Sequence, residues 1–186
     1  EIAKHILIYP LNSNSLRKRL PNSGLAKFIN MFQSPELIEA PIVGDSQLAK
    51  MRASLQKSDH IVIIAALHHH LVPVWGIEAK EFDPILDAGA CINELQELGF
   101  VLSLHGHKHQ RSSKFIKDIG SPAPSGLYVM GAGSFGYSGF FNEIDITFFD
   151  VGLPAITFQS THLDSNHAVP VGPLINCSPK TVAPVE

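Results

Sequence analysis

Cysteine, charge and long apolar runs are all scarce in this sequence, and each shortage excludes a class of protein. Two cysteines, Cys91 and Cys177, occur in 186 residues, so neither a disulfide framework nor a paired-cysteine zinc site is available. Charged residues make up 17% of the chain and the formal net charge is -3, which argues against a general nucleic-acid or anionic-membrane surface. The longest uninterrupted apolar run, residues 61–67, is far short of a membrane span.

The beginning of the sequence carries no charged segment followed by an apolar one, the pattern typical of a signal peptide. We therefore expect a cytoplasmic location. Residue 1 is Glu rather than Met, and residues 2–9 are already strand-like. These two features predict that the chain begins inside a larger fold.

Hydrophobic residues make up 45% of the chain, enough to form a folded core. We predict one folded unit over residues 1–168, followed by an irregular, proline-rich tail over residues 169–186.

Strands and helices alternate in the first part of the chain. A short apolar run predicts a strand at residues 4–9, and buried strands are predicted at residues 61–67 and 100–104. Helices are predicted at three places: at residues 25–32, from a cap at Asp45 or Ser46 onwards, and over residues 84–98 with Asp83 as the cap and Pro84 in the first position. Three later strands without helices, at residues 127–130, 143–149 and 155–158, predict antiparallel pairing.

Histidine is the residue that stands out, with ten in the chain. His68, His69 and His70 follow the predicted strand at residues 61–67. His105, His107 and His109 follow the strand at residues 100–104. Ligands of α/β sheets bind beyond the carboxyl ends of strands, and imidazole is a ligand for Zn, Mn, Fe, Co and Ni. The two clusters therefore predict a metal site.

The spacing within the second cluster suggests how its side chains are presented. His107 and His109 are two residues apart, so both can project to one side of an extended or turning segment. Gly106 lacks a Cβ and so permits a sharp bend and a close approach to a metal.

The order of these segments resembles that of the calcineurin-like metallophosphoesterases. That family has an apolar strand ending in a His-His-Pro-like segment, a helix, and a strand ending in Gly-His-X-His. Residues 67–73 (LHHHLVP) and 106–109 (GHKH) match these two segments in that order. Residues 11–13, 44–48, 129–134 and 141–149 resemble further landmarks of the family, so the resemblance covers residues 4–158.

The resemblance implies a fold and a chemistry. The fold class it implies is α/β, as the C-terminal half of a calcineurin-like α/β/β/α sandwich with mixed sheets. The activity is metal-dependent hydrolysis of a phosphoester substrate, with two divalent ions (Mn, Fe or Zn) converting a bridging water into the attacking hydroxide. The motif match makes His68 and His107 ligands of one metal and His109 a ligand of the other. His69 is the catalytic candidate, as a hydrogen-bond partner of a phosphate oxygen or of the metal's ligand shell.

The family's first half is not found in this sequence. No Asp-X-His and no Gly-Asn-His occurs, and the one Gly-Asp, at residues 44–45, is interpreted as a helix start with Asp45 as its cap. The missing N-terminal half of the domain, from the same parent chain or another, is therefore an expected partner. The fragment alone is expected to be inactive and to associate through uncovered strand faces and edges.

Two alternatives to the phosphoesterase hypothesis stay open. A truncated or degenerate module, serving as a scaffold or partner surface without catalysis, is consistent with the missing ligands. A metallo-β-lactamase-like hydrolase requires a His-X-His-X-Asp-His run, which residues 106–111 (GHKHQR) do not supply.

His162, Asp164 and His167 have a loose metal-ligand spacing but are interpreted as a surface loop. Trp75 and Phe135 are candidates for pocket walls or for the core.

Overall fold

A computed structural model describes residues 6–14, 41–56, 62–74, 84–117, 126–134, 136, 139–149, 153–164, 167–171 and 174–177. The predicted helix at residues 25–32, Trp75, Asp83 and Phe135 lie outside this part of the chain. The elements, in chain order, are β1 (Ile6–Leu11), α1 (Asp45–Leu55), β2 (Val62–Leu67), α2 (Ala88–Glu97), β3 (Leu102–His105), β4 (Ser112–Lys117), β5 (Gly126–Gly131), β6 (Phe140–Thr147), β7 (Ala155–Asp164), β8 (His167–Pro170) and β9 (Ile175–Cys177).

The first sheet is mixed and has the strand order β1-β2-β3-β5-β4. Its first four strands are parallel, and β4 pairs antiparallel with β5. The register places Leu11 beside Leu67, Leu67 beside His105, and His105 beside Gly131. The carboxyl ends of four strands therefore lie in one row at the same edge of the sheet.

The second sheet is antiparallel, as predicted for the strands at residues 143–149 and 155–158. The third strand of that prediction, at residues 127–130, instead lies in the first sheet as part of β5, parallel to β3 and antiparallel to β4. β7 is its central strand and pairs with β6, β8 and β9. β9 and the second half of β8 lie within the region predicted to be an irregular tail from residue 169 onwards. Both strands form through backbone pairing with β7, which needs no side-chain periodicity, and every residue of β8 is exposed.

Two hydrophobic clusters lie on the two faces of the first sheet. Ile63 and Ala65 of β2 pack on the helix side, with Met51 of α1 and Leu95 of α2. Val62 and Ile64, which alternate with them along the strand, pack on the other side with Ile156 and Phe158 of β7. This arrangement of helices, mixed sheet and antiparallel sheet confirms the α/β class as a partial sandwich.

Both helices begin at a different residue from the one predicted. Gly44, with a φ of 85°, is the cap of α1, so Asp45 lies one position later, in the first turn. The second helix is capped by Asp87 rather than starting at Pro84. Pro84 instead forms a β-bridge with His70. Gly99, with a φ of 79°, follows the second helix as predicted.

The two helices are joined by polar contacts that hold their positions against the sheet. The Asp87 carboxylate accepts hydrogen bonds from the backbone N–H of Val43 at 3.1 Å and of Gly44 at 2.7 Å. Arg52 of α1 donates to both carboxylate oxygens of Glu94 on α2, at 2.7 and 2.6 Å. The segment that leads into α1 is therefore fixed by the start of α2.

The face of β1 that points toward the second-sheet side is uncovered. Ile6 and Ile8 pair with Val62 and Ile64 in the register, and those two partners are 0% and 3% exposed. Ile6 and Ile8 are 45% and 58% exposed. The second sheet therefore covers β2 but does not extend over β1. Within the described ranges, neither helix has the length and apolar character needed to cross a membrane.

Candidate metal centre

Three neighbouring parallel strands bring polar side chains to one edge of the first sheet. His68, His69 and His70 follow β2 directly, and His107 follows β3 after one intervening residue. Ser13 lies two residues beyond the end of β1. Because β1, β2 and β3 are adjacent and their ends are in register, these side chains meet.

His68, His69 and His107 form a compact group, called here the histidine cluster. One ring nitrogen from each residue lies within 4.8 Å of the others. The ring centroids are 4.7 Å apart for His68 and His69, 4.9 Å for His68 and His107, and 4.5 Å for His69 and His107. His68 is exposed and the other two are half-buried, so an ion can reach the histidine cluster from solvent.

Compared with models of protein families and with curated proteins, the chain matches none.

The donor set and its spacing fit a metal ion. Ring nitrogens around one tetrahedral zinc, each about 2.0–2.1 Å from the ion, lie about 3.3 Å from one another. His107 Nδ1 and His68 Nε2 are 3.0 Å apart and share a hydrogen bond, whose proton position depends on the tautomer. An ion would replace that bond and draw together the three ring nitrogens, which lie within 4.8 Å of one another. The histidine cluster can therefore hold a metal ion.

His107 has an unusual backbone conformation for its residue type. Its φ is 70° and that of His109 is 54°, both in the left-handed region that non-glycine residues rarely adopt. The Gly106 N–H donates to the His68 carbonyl at 3.1 Å, which ties this turn to the end of β2. The turn thus aims the His107 imidazole at His68 and His69.

Ser13 orients the ring of His69 and was not recognised as a site residue from sequence. Ser13 is only 1% exposed, and its Oγ lies 3.0 Å from His69 Nδ1. The same Oγ accepts a hydrogen bond from the His69 backbone N–H at 3.0 Å. Metal-bound imidazoles commonly have such a partner on the ring nitrogen that does not bind the metal. The contact at Nδ1 therefore leaves Nε2 as the nitrogen that can bind an ion. A small polar residue just after the end of β1 is the available sequence signal.

His70 and His105 form a second, buried pair behind the histidine cluster. They are 1% and 4% exposed, and their ring centroids are 4.5 Å apart. The His70 ring is 6.0 Å from that of His107. Burial lowers the pKa of His105 to about 4, although the nearby Gly106 backbone opposes this shift. His105 is therefore neutral at pH 7 and faces the interior.

Of the other predicted site residues, the structure places His69 in the histidine cluster and the rest apart from it. His109 is exposed and lies outside the group, while His69, predicted to contact phosphate, belongs to it. His162, Asp164 and His167 lie in β7 and β8, so their interpretation as a surface loop was wrong. Among the described residues, these three do not form a metal-binding group.

Two glycines near the histidine cluster predict a contrast in stability. A Cβ at Gly131 would lie 2.6 Å from Ser112 Oγ and 2.8 Å from His105 Cε1, whereas one at Gly106 meets nothing within 4 Å. We expect Gly131→Ala to lower the free energy of unfolding by about 2 kcal/mol, because His105 is buried against His70 and has little room to move.

Gly106→Ala is the matched control, with an expected change within about 0.5 kcal/mol. Gly106 is not in the left-handed region, so the sharp bend predicted there is located at His107 instead. Urea denaturation midpoints of the two variants measure the contrast. Equal losses in both would contradict the close packing of His105 under Gly131.

Proposed function

We propose that this chain is the C-terminal part of a metal-dependent phosphoester hydrolase of the calcineurin-like metallophosphoesterase superfamily. The observation that carries the proposal is the convergence of His68, His69 and His107 at the carboxyl ends of two adjacent parallel strands. These are the strand ends at which the family's two histidine segments stand. The order of the two histidine segments along the chain and their proximity in the structure thus support the same proposal.

The three imidazoles are assigned to one divalent ion. His68 and His107 are the ligands that the family motifs imply, and His69 is the third through Nε2, with Ser13 fixing its ring. His109 keeps its proposed role as a ligand of a second ion only together with groups from outside the histidine cluster, since it does not belong to that cluster.

A divalent ion at this position would polarise a phosphoryl oxygen and lower the pKa of a bound water. The chain's own residues supply position and environment. Ser13 holds His69, the left-handed turn holds His107, and the buried residues His70 and His105 lie beneath them. Electrostatic interactions are stronger beside such a buried region than in bulk water.

The charge of the histidine cluster supports a partner for this chain. Three imidazoles bring no negative charge, and no carboxylate among the described residues belongs to the group. Two-metal hydrolases need anionic ligands that balance the ions. We propose that the missing N-terminal half of the domain supplies them, packing on the uncovered face of β1 at Ile6 and Ile8. A cytoplasmic location is part of the same proposal, and the free, buried Cys91 is compatible with it.

The lack of carboxylates also favours a second candidate, a non-catalytic module that presents this surface to a partner. The two candidates differ in one measurable property, since both can bind a metal ion while only the hydrolase turns over a phosphoester.

The test is hydrolysis of bis(p-nitrophenyl) phosphate with Mn²⁺ or Zn²⁺ by protein that contains both halves of the domain. We expect turnover that falls at least about 100-fold in His107→Ala, because a ligand of the ion stabilising the transition state is lost. The control His162→Ala should keep full activity. Full activity after His107→Ala would contradict the assignment, and metal binding without any turnover would favour the non-catalytic module.

A further inference from the structure

A cavity of about 250 Å³ lies between the two sheets, at the edge that carries the histidine cluster. Its walls come from the ends of β3 and β5 and from the first half of β6. Among the residues that line it are Leu104, His105, Met130, Phe140, Asn142 and Ile144.

His105 connects this cavity to the histidine cluster. It is the last residue of β3 and lines the cavity, and only Gly106 separates it from His107. Two residues span at most about 7.6 Å between Cα atoms. The His105 ring also contacts His70, which lies 6.0 Å from His107. The cavity and the histidine cluster therefore lie within the length of one small organic molecule.

The lining is apolar and uncharged. Among the described residues that line the cavity there is no Asp, Glu, Lys or Arg. Asn142 is a polar group there, and its Oδ1 accepts a hydrogen bond from Ser160 Oγ at 2.9 Å. The Asn142 amide nitrogen is then the donor that this side chain can offer to a ligand. Apolar walls with one or two placed polar groups are typical of small-molecule sites.

The volume sets the size of the group that fits. An apolar cavity of about 150 Å³ admits benzene, so this cavity admits a substituted or fused ring. A charged or heavily hydroxylated group would lose its hydration without finding partners there, which costs several kcal/mol or more.

From these observations we infer that the cavity receives the flat, uncharged ring of the substrate's organic group, while the phosphoryl group stays at the histidine cluster. This inference rests on the proposed phosphoesterase function. It narrows the substrate class to phosphoesters of aryl or similarly flat apolar groups.

The test is equilibrium dialysis of 2-naphthol against the 186-residue chain without metal, which measures the cavity independently of catalysis. We expect saturable binding that weakens roughly tenfold or more in Ile144→Trp, because the indole fills the cavity. Ile146→Trp is the matched control, since Ile146 lies on the same face of β6, is also half-buried, and does not line the cavity. It should bind 2-naphthol as the unaltered chain does.

The possible results separate this inference from the proposed function. No saturable binding, or equal weakening in both tryptophan variants, overturns the cavity inference even if the metal-dependent hydrolysis is found. Binding that Ile144→Trp weakens and Ile146→Trp retains supports the cavity inference, even if the complete domain proves inactive. Leu104→Trp, from the opposite wall, should weaken binding as Ile144→Trp does, which guards against a folding defect in one variant.

Discussion

The His107→Ala variant of this chain is expected to bind Zn²⁺ at least about 100-fold more weakly than the unaltered chain. His107 contributes one of three ring nitrogens within 4.8 Å of one another, and its left-handed backbone aims it at the other two. Removing it leaves two adjacent histidines, which do not enclose an ion. Competition with a chromophoric zinc chelator measures the affinity.

Two variants serve as controls for this prediction. His109→Ala should leave the affinity unchanged, because His109 is exposed and outside the histidine cluster. His162→Ala should also leave it unchanged, because that residue lies on β7 of the other sheet. If His109→Ala weakened zinc binding as much as His107→Ala, the ligand set drawn from the structure would be wrong.

The isolated chain is expected to associate through β1, and Ile8→Lys is expected to weaken that association by at least an order of magnitude. Ile6 and Ile8 are 45% and 58% exposed, and no described strand pairs with the outer edge of β1. Burying one isoleucine side chain contributes about 1.5–3 kcal/mol, and a lysine on an edge strand opposes further pairing. Sedimentation velocity over a range of concentrations measures the effect.

Leu163→Lys is the matched control for the edge. Leu163 is 42% exposed, similar to Ile6, but it lies on β7, the central strand of the second sheet. Its substitution should leave the association unchanged. A wild-type chain that stays monomeric at all concentrations would show that β1 needs no partner.

The buried strands could be predicted because their residues leave no other choice. Val62–Leu67 is apolar at every position, and a strand with two covered faces is the element that buries all of them. The helix starts could not be fixed in the same way. Several residues near each start favour a cap, and the one chosen depends on distant contacts, such as Asp87 binding the backbone of Val43 and Gly44.

The candidate site could be predicted only in part, because distant contacts also decide which of its residues meet. His68 and His107 follow adjacent strand ends, which sequence order and strand patterning indicate. The pairing of His107 with His109 was inferred from a two-residue spacing, and the left-handed φ of both residues changes where each ring lies. Ser13 could not be assigned, because its contact with His69 joins residues 56 positions apart.

Anomalous diffraction at the zinc edge, from crystals of this chain grown with zinc, would locate the ligands of the ion. We expect one peak bonded at about 2.0–2.1 Å to a ring nitrogen of each of His68, His69 and His107. A zinc peak at His109, or at His162 and His167, with none at the histidine cluster would contradict this expectation.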